Sequence, residues 1–208
     1  MPDQANPAAL WPDALPRPLL LASTSPYRRE LLARLGLPFD TVAPGTDETP
    51  LPGELPAALA LRLSEAKADA VAALHPEALV IGSDQAASLD GRTLIGKPGD
   101  HANALAQLRA ASGRSLSFHT GLALVCARSG FRRSVVVDTR VRFRALSEAQ
   151  IEAYLRREPA YDCAGAARVE ALGIALLEAM DGPDPTALVG LPLIALTGFL
   201  EAAGQPVL

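Results

Sequence analysis

Cysteine is scarce in this chain. Two residues in 208, Cys126 and Cys163, show neither a paired metal-ligand spacing nor a CxxC motif, which excludes a disulfide framework and a thiolate metal centre and makes a reducing cytosol the simpler reading. Aromatics are few (five Phe, three Tyr and Trp11), whereas alanine is abundant, so the interior must be aliphatic and the helices Ala-rich. Three histidines, His75, His101 and His119, stand apart and form no readable His pair or Ser/His/Asp set. There is no excess of positive charge: 19 basic against 23 acidic residues give −4, so no bulk attraction to nucleic acid or an anionic membrane is expected, and any anion site must be local. Long apolar runs are missing too. The longest stretch without Asp, Glu, Lys or Arg, residues 185–200, falls short of the roughly 20 residues a membrane helix needs. Residues 1–17 hold four prolines, with Asp3 and Asp13 and no basic residue before Arg17. They read as a Pro/Ala-rich tail and lack the basic start of a secretion signal.

What is present is an α/β pattern over 18–208, read as one domain. Leu19–Ala22 reads as a buried strand, and Ser25-Pro26 as a helix start with a capping hydroxyl and a first-turn proline. That helix carries Leu31, Leu32 and Leu35 and stops at Gly36. Phe39–Ala43 is a second strand, Pro56–Leu74 a long helix, and Leu79–Ser83 a third strand ending on Asp84. Two β-rich runs, 115–125 and 135–143, flank Ser129-Gly130 as a hairpin, which makes the sheet mixed. Ser147-Glu148-Ala149-Gln150 is a capping box opening a helix through Tyr154. Ile174–Met180 reads as a strand and Pro192–Ala203 as a last helix closed by Gly204.

Three segments carry candidate chemistry. Ser23-Thr24-Ser25-Pro26-Tyr27-Arg28-Arg29 puts hydroxyls, free backbone N–H groups and two guanidinium groups at one strand-to-helix turn, an arrangement suited to phosphate; the plainer reading is a helix cap followed by two solvated arginines. Asp84 follows Leu79-Val80-Ile81-Gly82-Ser83, and a carboxylate at a strand end in an open α/β sheet can bind a divalent cation or take a proton from water; its plainer reading is a turn aspartate. Gly91, Gly96 and Lys97 approach a phosphate loop, but Pro98 stands where a Ser or Thr would bind magnesium, which excludes that ATPase motif. Lys97 remains, either aimed by its Gly-Pro turn or an ordinary surface lysine. Asp47-Glu48 lies in a Pro/Thr-rich loop, able to join a metal site or to be solvated. Nothing near Cys163 in sequence would activate it as a nucleophile.

Eight fragments in order, LASTSPYRRELLARLG, DETP, SEAKA, VIGSDQ, GKP, TGLAL, YDCAGAARVEALG and LVGLPLIAL, resemble the Maf family of nucleoside triphosphate pyrophosphatases over about residues 18–205. The resemblance implies an inosine-triphosphatase-like α/β fold, with a mixed twisted sheet flanked by helices and two lobes around a cleft. It also implies hydrolysis, dependent on a divalent cation (Mg or Mn), of the α–β phosphoanhydride to a nucleoside monophosphate and pyrophosphate. Ser23, Arg28, Arg29, Lys67 and Lys97 match the family's phosphate-contacting positions, Asp84 its catalytic carboxylate, and Glu48 an acidic residue near the metal. Tyr27, Gln85 and Glu170 stand where the family's branches differ. The combination resembles the branch acting on 7-methyl-GTP rather than the one acting on dTTP and UTP. A carboxylate at 170 suits the N1–H and N2–H donors of 7-methylguanine, and Tyr27 suits its cationic ring. The family's DKAG pattern is Asp162-Cys163-Ala164-Gly165 here, so one basic position is lost. The expectation is a cytoplasmic house-cleaning enzyme that takes a nucleoside triphosphate, with no nucleic-acid or membrane partner. The dTTP/UTP specificity, a nucleotide-binding regulator of cell division and a homodimer are left open.

Overall fold

The computed structural model describes residues 17–208; the expected tail, Trp11 included, falls almost wholly outside the described residues. One six-stranded sheet organises the chain. Its strands are β1 (Leu19–Ala22), β2 (Asp40–Val42), β3 (Leu79–Ser88), β4 (Ser115–Cys126), β5 (Phe131–Phe143) and β6 (Leu177–Asp181), in the order β2-β1-β3-β4-β5-β6. β1 pairs in parallel with β2 and β3, and the remaining pairings are antiparallel. The helices are α1 (Pro26–Ala33), α2 (Pro56–Leu74), α3 (His101–Ala111), α4 (Glu148–Arg157) and α5 (Leu193–Ala202). Among the described residues no helix is long and apolar enough to cross a membrane.

Strand alternation sorts the helices onto two faces. On one face Leu20, Ala22, Val80, Ala123 and Val125 pack against Ala68, Val71 and Ala72 of α2. On the other, Leu19, Leu21, Leu79, Ile81, Leu122 and Leu124 meet Leu31 and Leu32 of α1 and Leu196 and Leu200 of α5. Farther along that second face, Leu116, Phe118, Val141 and Phe143 bury a separate cluster with Leu108 of α3 and Ile151 and Leu155 of α4.

The third strand is longer than expected. It runs through Asp84 to Ser88, because every residue from Val80 to Ser88 has a partner on β4, and that ladder overrides the weak strand preference of Gln85-Ala86-Ala87. Its parallel pairing with β1 ends at Ile81. Asp84 therefore sits just past the end of the parallel half of the sheet and inside the antiparallel half. Toward the C-terminus, residues 172–176 form a short 3-10 turn and the strand starts at Leu177.

Candidate active site

Lys67 is the centre of the arrangement. It lies on the sheet-facing side of α2, 4% exposed, and its Nζ is 2.6 Å from Asp84 Oδ1 and 2.6 Å from Glu48 Oε1. One turn earlier on α2, Ser64 accepts a hydrogen bond from the Asp84 backbone N–H at 3.1 Å and donates its own proton to the Ala60 carbonyl at 2.5 Å. Two glycines allow this. A Cβ on Gly82 would fall 2.1 Å from the Ser64 carbonyl oxygen, and one on Gly121 would fall 2.2 Å from Ser64 Oγ and 2.3 Å from the Ala60 carbonyl oxygen. Close helix-to-strand approach of this kind is the use of glycine inside a strand.

The turn from β1 into α1 brings Arg28 close enough to feel the charges of Asp84 and Glu48. Ser25 caps α1 by accepting from the Arg28 N–H, and Ser23 Oγ accepts from the Ser25 N–H at 3.1 Å. Arg28 donates from Nε to the Gly190 carbonyl at 2.8 Å and from Nη1 toward Ser23 Oγ at 3.5 Å. The hydroxyl of Ser83, next to Asp84, lies 2.9 Å from the same Gly190 oxygen. Gly190 has φ of +113°, a conformation that favours glycine. The loop before it is fixed by the buried Asp184, which accepts from Thr186 and from the Ile194 N–H. Burial pushes the Arg28 guanidinium down from its ordinary value, while the charges of Asp84 and Glu48 pull it back up; Arg28 stays protonated.

Glu48 reaches Lys67 from the segment between β2 and α2. Burial raises its pKa, but the Lys67 hydrogen bond and the charges of Lys67, Arg28 and Lys97 more than offset that and leave it low. Lys97 itself is exposed. The structure thus brings Ser23, Arg28, Glu48, Lys67 and Asp84 together with Lys97 at their margin. Arg29, by contrast, is exposed on α1 and its side chain makes no hydrogen bond or ion pair among the described residues.

Tyr27 belongs to a neighbouring cluster. Its hydroxyl donates to Asp162 Oδ2 at 3.0 Å, and the Arg168 guanidinium lies over its ring at 5.4 Å from the centroid. Arg168 also pairs with Glu158 at 3.1 Å and Asp162 at 2.9 Å. Burial, followed by the hydrogen bond to Asp162, pushes the Tyr27 hydroxyl up. Glu170 is exposed two residues from Arg168. Gln85 lies on the opposite sheet face from Asp84, and its amide nitrogen is within 3.0 Å of Thr120 Oγ1 and of the Ala187 and Leu188 carbonyls. Cys163 is pushed up to about 11, mainly by burial, which keeps it a thiol at neutral pH and agrees with its exclusion as a nucleophile.

Sequence reasoning missed Ser64, Gly82, Gly121, Gly190 and Arg168. A glycine inside an apolar strand pattern is a signal of close backbone approach and was there to be read at Gly82; nothing local marks Gly190 or Arg168. Among the described residues no three His, Cys, Asp or Glu side chains gather as a metal cage. Two carboxylate oxygens converging on one ammonium are nonetheless the right donor type for a hard divalent cation, which commonly takes one or two carboxylates and completes its sphere with water and phosphate. Two cavities, of about 410 and 370 Å³, lie at His119, Asp138 and Asp181 and at Lys97 and Gln107, and neither is lined by Glu48, Lys67 or Asp84.

Residues 18–203 match the model of the Maf-like proteins, and the chain belongs to that family. A 7-methyl-GTP pyrophosphatase of Cupriavidus metallidurans is 59% identical over 188 residues, covering 90% of this chain and 94% of its own. Proteins of the same name from Thiobacillus denitrificans and Burkholderia pseudomallei are 60% and 61% identical, covering 91% and 92% of this chain and 94% and 90% of theirs.

Proposed function

We propose that the protein hydrolyses 7-methyl-GTP between the α- and β-phosphates, releasing 7-methyl-GMP and pyrophosphate, and so keeps a modified nucleotide out of RNA. The observation that carries this reading is the convergence of Glu48 and Asp84 on the buried Lys67, 2.6 Å from each, beside the Ser23–Arg28 turn. The substrate name comes from the relatives.

Asp84 orients a water against the α-phosphorus and takes its proton as the P–O bond to the departing pyrophosphate breaks. Its carboxylate suits this because two contacts fix it: Ser64 holds its backbone and Lys67 holds Oδ1. Arg28 and Ser23 bind phosphate oxygens, with the guanidinium already oriented by the Gly190 carbonyl. Lys67 and Lys97 add positive charge where pyrophosphate accumulates negative charge, and the exposed Arg29 side chain swings in to join them when the triphosphate binds. Four cations facing a polyanion explain how a chain of net charge −4 binds a triphosphate. Glu48 and Asp84 are the groups that would hold Mg or Mn, which when bound would polarise the phosphate and its water. Tyr27 and Glu170 read the base: the ring stacks on the cationic purine and the carboxylate accepts from N1–H and N2–H.

The test is product identity. Incubation of 7-methyl-GTP with the protein and magnesium, followed by phosphorus NMR, should show pyrophosphate and 7-methyl-GMP in equal amounts. Orthophosphate with 7-methyl-GDP would place the cleavage at the wrong anhydride and sink the reading.

A further inference from the structure

Glu48 is 60% exposed at its side chain, and it lies in the irregular stretch between β2 and α2. For an exposed carboxylate on such a segment the gain from pairing with Lys67 is opposed by the entropy of ordering a flexible side chain and its loop. The segment is tied down elsewhere. Arg62, one and a half turns before Lys67 on α2, grips Glu54 with a two-pronged pair: Nε to Oε1 at 2.6 Å and Nη2 to Oε2 at 2.8 Å. The same Nη2 donates to the Thr49 carbonyl, next to Glu48, at 3.2 Å. Glu54 Oε2 also accepts from the Leu51 N–H at 2.9 Å. On the other flank of Glu48, Asp47 Oδ1 accepts from the Thr49 N–H and hydroxyl at 2.9 and 2.6 Å. Apart from the Leu51–Glu54 bond within the loop, each of these contacts ends on Thr49, the residue after Glu48, or on the helix that carries Lys67.

We infer that Arg62 is a positioning residue: with Glu54 as its anchor, it clamps the 47–54 segment onto α2 and so holds the Glu48 carboxylate at Lys67 and Asp84. The inference rests on the reading of the Glu48–Lys67–Asp84 group as the reaction site. The geometry is suited to Arg alone. A lysine at 62 could meet Glu54 or Thr49 but not grip both carboxylate oxygens and the carbonyl with one rigid fork.

The test is a double-mutant cycle on kcat/KM for pyrophosphate release from 7-methyl-GTP with wild type, Arg62→Met, Glu48→Gln and the double variant, each first shown by thermal unfolding to be folded at the assay temperature. Misplacing a reacting group by an ångström costs on the order of 10- to 100-fold, so R62M should lose activity on that scale in the wild-type background and lose almost nothing further in the E48Q background. Arg62→Lys should recover little of the loss. If R62M costs the same factor with and without Glu48, Arg62 only supports the fold and the inference is overturned. If it costs nothing in either background, the clamp is irrelevant to the site. A wild-type protein that releases no pyrophosphate would bring down the functional reading itself, an outcome distinct from both.

Discussion

Gly121 lies directly across the β3–β4 ladder from Asp84, and its missing side chain leaves the space in which Ser64 reaches the Asp84 backbone. The strand that carries Asp84 is thus positioned by an absence on its neighbour. Gly121→Ala should push α2 outward or strain both elements, because its Cβ would meet Ser64 Oγ and the Ala60 carbonyl oxygen far inside contact distance. Overpacking of this kind costs about 3 kcal/mol, or roughly 6 to 12 °C in melting temperature for a chain of this size. Activity should fall further than stability, since α2 carries Lys67. An unchanged melting curve for G121A would contradict the packing.

Lys67→Met should be severe in a different way. It leaves the largely buried Asp84 carboxylate facing Glu48 without the ammonium between them. Loss of one partner of a buried pair costs about 3 kcal/mol, lowered here because Glu48 is mostly exposed. Loss of a charge that stabilises the transition state costs on the order of 100- to 1,000-fold in kcat. Lys67→Arg should not restore the rate, because the longer and bulkier guanidinium does not fit a buried place that holds one ammonium 2.6 Å from each carboxylate. Full activity in K67M would remove Lys67 from the mechanism.

The Glu54–Arg62 pair makes a prediction in pH. The Arg62 hydrogen bonds, aided by the Leu51 N–H, lower Glu54 from 4.5 to about 2. A carboxylate depressed in the folded state adds stability that is fully present above its unfolded pKa and is lost as pH falls through the folded one. The stability gap between wild type and Glu54→Gln should therefore be constant from neutral pH down to about 4.5 and shrink between there and about 2. Denaturant unfolding at a series of pH values checks this; a gap as large at the acid end as at neutrality would contradict the pair.

Base selection should follow Tyr27 and Glu170. Glu170→Gln with Tyr27→Arg introduces an amide, which can pair with the single donor and a flanking carbonyl of uracil or thymine, and a guanidinium, which donates to carbonyls and repels a cationic purine. The ratio of kcat/KM for 7-methyl-GTP over UTP should drop by at least tenfold, the worth of about one charged hydrogen bond. The free protein already has Arg168 over the Tyr27 ring, so Tyr27 is a surface that a cation can cover. A ratio that does not move would remove both residues from base reading.

The elements that the sequence announces are those with local punctuation. Ser25-Pro26, the Ser147 capping box with both its hydrogen bonds, and the Ser129-Gly130 turn with Gly130 at φ +68° all appear where expected. α3 was silent: its buried positions are Ala104, Leu108 and Ala111, too small to make a clear apolar stripe, although Asp100 caps it by accepting from the Asn103 N–H. β3 was read short because its second half is held by β4 rather than by its own residues. In the site, the residue types at Ser23, Arg28 and Asp84 were legible as chemistry. The convergence of Glu48 and Lys67, 19 positions apart, was reached only through the family resemblance, since it depends on α2 docking over Gly82 and Gly121. The bonds from the Gln85 amide nitrogen to the 187–188 carbonyls are likewise a tertiary contact that no local pattern encodes.

The most direct test of the whole account is pyrophosphate release from 7-methyl-GTP, GTP, dTTP, UTP and CTP, each with magnesium or manganese, by the wild-type protein beside Asp84→Asn. The account predicts selective cleavage of 7-methyl-GTP that is abolished in D84N. Equal cleavage by D84N would contradict the role of Asp84, a preference for dTTP or UTP would contradict the base-reading residues, and no cleavage of any nucleotide would contradict the enzyme itself.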